Sequence, residues 1–223
     1  MTPEDFKNLP GIKMLYKKHF DDYHFWLDYM PQMLSVNFPT VNPVRFSFEK
    51  NVKYIQKYLY GSGADIGCGS CPLLMPDCFH IDMSTQPLTF AQVTNFPNSK
   101  FFVDDATSLR YYTDEKSLDY IFSSHMLEDL PTFAEMVDCL YIWSKSLKHK
   151  GHVVLLLPDM QGGRHPRVEE GGNPSHRVNV GRLLFQEFII TDPKICNIYE
   201  IAQIDTIPHD ESDTIDIVLQ KVV

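Results

Sequence analysis

From residue 63 onward the chain alternates short apolar or β-branched runs with helix-like stretches. The runs are ADIG, CFHID, KFFVDD, LDYIFSS and HVVLLLP. Each is strand-sized and bounded by turn residues, the pattern of βα units that share a parallel sheet. Between LDYIFSS and HVVLLLP, the side chains of Phe133, Met136, Val137, Leu140, Trp143 and Leu147 fall on one helical face. Pro131 suits that helix's first turn, and Lys148, Lys150 and Gly151 suit its end. QGGRHPRVEEGGNPSHRVN after Pro158 is a long loop, VGRLLFQEFI a short helix, and NIYEIAQIDTIPHDESDTIDIVLQKV two strands joined at HDES. The expectation is an α/β fold with five parallel βα-type strands followed by a C-terminal β-hairpin.

Residues 1–60 have a different character. FDDYHFWLDYM reads as a helix stopped by Pro31, and Phe48, Val52, Ile55 and Leu59 recur at helical spacing before Gly61 and Gly63 turn the chain. This divides the chain into an N-terminal helical extension, 1–60, and a main domain, 61–223. With 223 residues, 43% of them apolar, one sizeable core is expected. The net charge of −9 argues against a partner built on a phosphate backbone; the nearest basic runs are KKH at 17–19 and KSLKHK at 145–150. The longest apolar run, VVLLL at 153–157, falls far short of the roughly 20 residues of a membrane span. Five cysteines, an odd number, and an N-terminus without an apolar signal segment point to a soluble cytoplasmic protein with reduced thiols.

In an open α/β sheet, ligands bind beyond the carboxyl ends of the strands. Here the first strand ends in Asp65-Ile66-Gly67-Cys68-Gly69, the second in Asp82, the third in Asp104-Asp105-Ala106 and the fourth in Ser123-Ser124-His125. Glycines let the backbone turn sharply and approach a ligand. A carboxylate at the second strand end can accept both hydroxyls of a ribose. One at the third can accept from an adenine amine. Any one of these acids could equally be a solvated turn residue or a helix cap; the row of four carries the reading.

The phrases ADIGCGS, MPDCFHIDMS, VDDATSL, LDYIFSSHMLEDL, SLKHKGHVVLLLPD and HP…NPSHRVN resemble, in order and spacing, the class I S-adenosylmethionine-dependent methyltransferases. They are most similar to the small group with a short first helix and an SSHxLEH phrase. The resemblance implies a Rossmann-like seven-stranded sheet with helices on both faces and its last strand antiparallel. It implies S-adenosyl-L-methionine as cofactor, held by Asp65, Gly67, Cys68, Gly69, Asp82, Met83, Asp105, Ala106, Ser123 and Ser124. It implies methyl transfer to a small molecule of the sugar- or glycan-related class; His125 and His176 are the candidate catalytic residues on the acceptor side, and Tyr16, Tyr23, His24 and Trp26 of a helical lid either sit near the acceptor or pack against the sheet. Three features depart from the group: Pro72 and Pro76 interrupt the first helix, Asp129 replaces the second histidine, and His149-Lys150-Gly151-His152 replaces the usual KPGG turn.

Two other readings remain. One is a protein that keeps the fold and the cofactor but has lost turnover. The other is a metal or redox site on Cys68 and Cys71, with Cys78 and His80 nearby. A structural zinc site normally takes four ligands, and no second CxxC exists in the chain, so no metal is expected there. The set His165, Glu169, Glu170 and His176 lies in one loop without a register to converge its side chains.

Overall fold

A computed structural model describes residues 55–69, 73, 75, 77–83, 100–110, 115–161, 166–208 and 213–223. The expected helices of residues 1–54, with Tyr16, Tyr23, His24 and Trp26, lie outside the described residues, as do Cys71 and His165. The strands are β1 (Gly63–Ile66), β2 (Cys78–Asp82), β3 (Phe101–Val103), β4 (Leu118–Ser124), β5 (Leu147–Pro158), β6 (Tyr199–Pro208) and β7 (Asp213–Lys221). Two α-helices accompany them, α1 (Phe133–Ser146) and α2 (Arg182–Thr191). The sheet order is β3-β2-β1-β4-β5-β7-β6. β1 to β5 run parallel, and β7 pairs antiparallel with both β5 and β6. The α/β, Rossmann-like, seven-stranded architecture expected from the sequence is the one observed.

The central strands are legible as unbroken apolar runs because both of their faces are covered. On one face Ile66, Ile121, Val153, Leu155 and Ile217 join Met136, Leu140 and Trp143 of α1 and Phe185 and Ile189 of α2 in a single cluster. On the other, Tyr120, Phe122, Val154, Leu156 and Val218 pack with Ile55 and Leu59. Both described α-helices serve the first face; the 3-10 turn Gln56–Tyr58 lies beside the second.

Helix α1 begins two residues after the proline expected in its first turn. Thr132 is its N-cap, accepting from the Glu135 N–H, and Pro131 stands outside. It also stops sooner. Leu147 already pairs with Leu118, and the Lys148–Gly151 stretch expected to end the helix forms an irregularity inside β5 before His152 pairs with Tyr120. Lys150 takes a left-handed φ of 64° there. The buried Lys221 ammonium at the end of β7 donates to the Ser144 and Leu147 carbonyls, at 2.7 and 2.9 Å. A cation thus closes the helix end that the sequence had assigned to Lys148 and Lys150.

The hairpin carries an unusual cross-strand pair. Asp205 of β6 stands opposite Asp216 of β7, and Asp216 is fully buried, with one oxygen accepting from Gln203 Nε2 at 3.3 Å. Burial, and then the Asp205 charge, push the Asp216 carboxyl up to about 7. The fold therefore holds that proton more tightly than the unfolded chain. The contribution to stability is present at low pH and is lost as pH rises from about 4 through about 7. Urea unfolding of the wild type should lose more stability between about pH 5 and pH 8 than Asp216→Asn, which cannot titrate. Parallel pH profiles for the two proteins would contradict this assignment.

Candidate active site

The strand order reverses between β1 and β4, and the crevice at their carboxyl ends is the expected ligand site of such a sheet. The chain enters it at Gly67. The N–H groups of Gly67 and Cys68 both donate to the Ile81 carbonyl of β2, at 2.8 and 3.3 Å. Gly67 has a φ of 72°, and a Cβ there would lie 2.5 Å from Met126 Cγ, so both backbone and space require glycine. At Gly69, φ is 53° and a Cβ would meet nothing within 4 Å. The Gly69 N–H donates to Asp82 Oδ2 at 2.8 Å. The first two strand ends are therefore clamped together, with open space beside the second glycine.

A cleft of about 210 Å³ opens beside this clamp. Gly67, Asp82 and Met83 form one wall, Asp104, Asp105, Ala106 and Thr107 a second, and Met126, Asp129 and Leu130 a third. Four of these residues are aspartates and none is basic, so the cleft carries a negative field. Met83 is 73% exposed, which leaves its side chain available to cover a planar group. The Asp105 carboxylate spends Oδ1 on the N–H and hydroxyl of Thr107, both at 2.8 Å, and its carbonyl accepts from Ser108 and Leu109. The Ala106 carbonyl accepts from Trp143 Nε1 at 2.9 Å, so α1 fixes the β3 loop from behind. The Ala106 N–H has no partner among the described residues.

The sequence-predicted residues thus separate into two groups. Gly67, Asp82, Met83, Asp105 and Ala106 converge on the cleft. Asp65 turns inward: it is buried, accepts from the Leu73 N–H at 2.6 Å and lies 3.8 Å from His80 Nδ1. Burial raises its pKa, opposed first by the His80 contact. Ser123 is also buried, its hydroxyl donating to the Ile66 carbonyl at 2.8 Å, which ties β4 to β1. Ser124 ends β4 partly exposed and does not line the cleft. Cys68 is buried, and burial drives its thiol well above the ordinary range, the reverse of a reactive thiolate. Among the described residues no group of His, Cys, Asp and Glu could hold a metal ion. Glu169 and Glu170 are engaged locally instead, accepting from Asn179 Nδ2 and the Arg167 N–H.

His125 and His176 meet on one residue that the sequence reading passed over, Glu128. His125 Nδ1 lies 3.2 Å and His176 Nε2 3.6 Å from Glu128 Oε1. The His125 side chain is 46% exposed, His176 is 4% exposed and Glu128 is fully buried. The Glu128 carbonyl also accepts from the Arg177 and Val178 N–H groups, docking the loop that carries His176. The signal for Glu128 was its place three residues after His125 on a short helical turn. No local signal marked Trp143, whose tie to Ala106 spans 37 positions.

A family model described as a methyltransferase domain matches residues 61–155. Among solved structures, the fold is similar to a SAM-dependent methyltransferase from Methanosarcina mazei, with a TM-score of 0.57, 16% identity, and 76% of this chain and 97% of that chain covered. It is similar to the N-methyltransferase NodS from Bradyrhizobium japonicum in complex with S-adenosyl-L-homocysteine, with a TM-score of 0.57, 16% identity, and 78% and 86% covered. It is also similar to a 16S rRNA (adenine(1408)-N(1))-methyltransferase from Catenulisporales acidiphilia, with a TM-score of 0.58, 13% identity, and 78% and 91% covered. No curated protein matches the chain.

The Trp143 tie predicts a local effect. In Trp143→Phe the Ala106 carbonyl loses its donor, at a cost of about 1–3 kcal/mol, and amide hydrogen exchange should quicken across Asp105–Leu109 while β4 and β5 stay protected. Unchanged exchange in that loop would remove Trp143 from the site's support.

Proposed function

We propose that the chain is a class I S-adenosylmethionine-dependent methyltransferase, on the match of residues 61–155 to a methyltransferase-domain model and on the strand order of its sheet, and that it transfers a methyl group to a small sugar- or glycan-type acceptor seated beside His125. The single observation that carries the reading is the clamp of Gly67, Cys68 and Gly69 onto Ile81 and Asp82 at the sheet's reversal point. It leaves space beside Gly69 and sets Asp82, Asp105 and Ala106 around one cleft. The residues fit the cofactor: Asp82 would hold the ribose hydroxyls, Asp105 Oδ2 the adenine amine and the Ala106 N–H the adenine ring, with Met83 over its face. Gly67, Cys68 and Gly69 would shape the path of the methionyl portion. Asp65 and Ser123 act on the same site from behind, by fixing the ends of β1 and β4, and Ser124 ends β4 beside them.

When bound, the cofactor supplies an activated methyl group on a positively charged sulfur. The protein's share is placement and exclusion of water, and alignment alone is worth on the order of 7–11 kcal/mol in favourable cases. The aspartates of the cleft favour a cationic ligand and disfavour a phosphate-rich one, which supports a small acceptor over a nucleic acid. For a hydroxyl acceptor, His125 can take the departing proton on Nε2, the nitrogen facing away from Glu128. His176, buried on the far side of Glu128, serves through that carboxylate. No helix among the described residues is long and apolar enough to cross a membrane. Cys68, Cys78, Cys139 and Cys196 are free thiols, which fits the reducing cytoplasm.

Calorimetry with S-adenosylmethionine and S-adenosylhomocysteine tests the site directly. Wild-type protein should bind both, Asp82→Ala should weaken binding at least about tenfold, the equivalent of one charge-assisted hydrogen bond, and Asp105→Ala should weaken it several-fold. No binding by the wild type, or unchanged affinity in Asp82→Ala, would overturn the reading. Formation of S-adenosylhomocysteine across a panel of hydroxyl-bearing saccharides then tests the acceptor class, and a panel with no turnover would count against it.

A further inference from the structure

The Glu128 carboxylate has no structural need to be where it is. It is fully buried, its Oε2 has no hydrogen-bond partner among the described residues, and its backbone carbonyl accepts from the Arg177 and Val178 N–H groups. An apolar side chain could fill the same space without the penalty of a buried carboxylate. Its Oε1 faces two histidine rings, at 3.2 Å from His125 Nδ1 and 3.6 Å from His176 Nε2. The backbone at His125 is strained to reach this arrangement. Its φ is 52°, a conformation that costs of order 1–3 kcal/mol outside glycine and persists only where the surroundings over-determine it. Here the His125 N–H donates to the Leu156 carbonyl at 2.9 Å and the ring lies against Glu128. Met126 and Asp129, in the same turn, line the cleft. Asp129 is the other charged group beside this cluster: burial and then the Glu128 charge raise its pKa, while Ser175 and the two histidines lower it.

We propose that Glu128 is a positioning residue for His125: its Oε1 accepts the Nδ1–H, which fixes the neutral ring in the tautomer whose Nε2 lone pair faces the acceptor side. Which ring nitrogen bears the proton is set by the hydrogen bond that the other side of the ring makes. A shared carboxylate decides it here, and His176 braces that carboxylate from the buried side. The exposed ring receives the acceptor proton; the buried one keeps Glu128 from swinging away. The assignment of His125 to the acceptor rests on the proposed methyl transfer, but the tautomer does not, and the two are measured apart.

The test is nitrogen-15 NMR of the histidine rings in the full chain with both rings neutral, beside calorimetric binding of S-adenosylhomocysteine. In the wild type, His125 should be in the Nδ1–H form. Glu128→Leu should lose it in favour of the Nε2–H form, and Glu128→Gln, which retains an acceptor oxygen, should restore it. Affinity for S-adenosylhomocysteine should change less than about threefold in both variants, because Glu128 does not line the cofactor's cleft. An Nε2–H His125 in the wild type, or an Nδ1–H ring that persists in Glu128→Leu, overturns the proposal. The wild-type spectrum decides it alone if the leucine variant does not fold. Absence of S-adenosylhomocysteine binding by the wild type would instead count against the methyltransferase reading and leave the tautomer result standing.

Discussion

The Ile81 carbonyl holds the site together. It accepts from Gly67 and Cys68, and the next residue, Asp82, accepts from Gly69 through its side chain. Three N–H groups of one loop are thereby spent on two adjacent residues of the neighbouring strand. A loop joining strand to helix ordinarily gains order from the helix that follows, whose first N–H groups attract a negative ligand atom. Here β2 supplies order to the loop through the Ile81 carbonyl and the Asp82 carboxylate. The buried Asp65 contributes from below, accepting from the Leu73 N–H and fixing the return path of the short connector.

This explains which parts of the site were legible. The strands were, because a strand covered on both faces must be apolar along its length, and ADIG, LDYIFSS and HVVLLLP are so. The glycines were, because the turn at the end of β1 needs positive φ at Gly67 and Gly69. The strand-end acids were only partly legible. Asp65, Asp82 and Asp105 look alike in sequence, yet Asp65 faces inward because Leu73 and His80 meet it there. The direction of a carboxylate depends on a partner far along the chain, and a local pattern does not contain that partner. Glu128 and Trp143 were missed for the same reason. Each has a local explanation, a turn residue and a core aromatic, that conceals a distant contact.

The cysteines show the same limit from the other side. Their spacing invited a metal or redox reading, but spacing alone does not fix the direction of a side chain. Cys68 and Cys78 are both buried, and burial drives both thiols far up, with the Asp65 charge adding to it. A thiol beside a buried carboxylate is a poor nucleophile and a poor metal ligand, since both roles need the thiolate. Burial is thus the main reason these sulfurs are unreactive, and the acid beside the glycine loop adds to it.

Charge divides the cleft from the neighbouring histidine pair. The cleft is lined by four aspartates, whereas the neighbouring turn sets one buried glutamate against two histidines. A cationic ligand gains from the first environment and loses that gain on becoming neutral, so the field favours the charged form of a methyl donor over the neutral product. The proton released from a hydroxyl acceptor needs a different environment, a neutral base with its acceptor nitrogen turned outward. A row of aspartates at the reaction point would hold a proton near the cofactor; an exposed ring held by one carboxylate can pass it to solvent. Asp129 sets negative charge at the border between the two regions. Burial and Glu128 raise the Asp129 carboxyl, and the two rings lower it. Asp129, which lines the cleft and lies beside Glu128 and both rings, thus places one charge where the two regions meet.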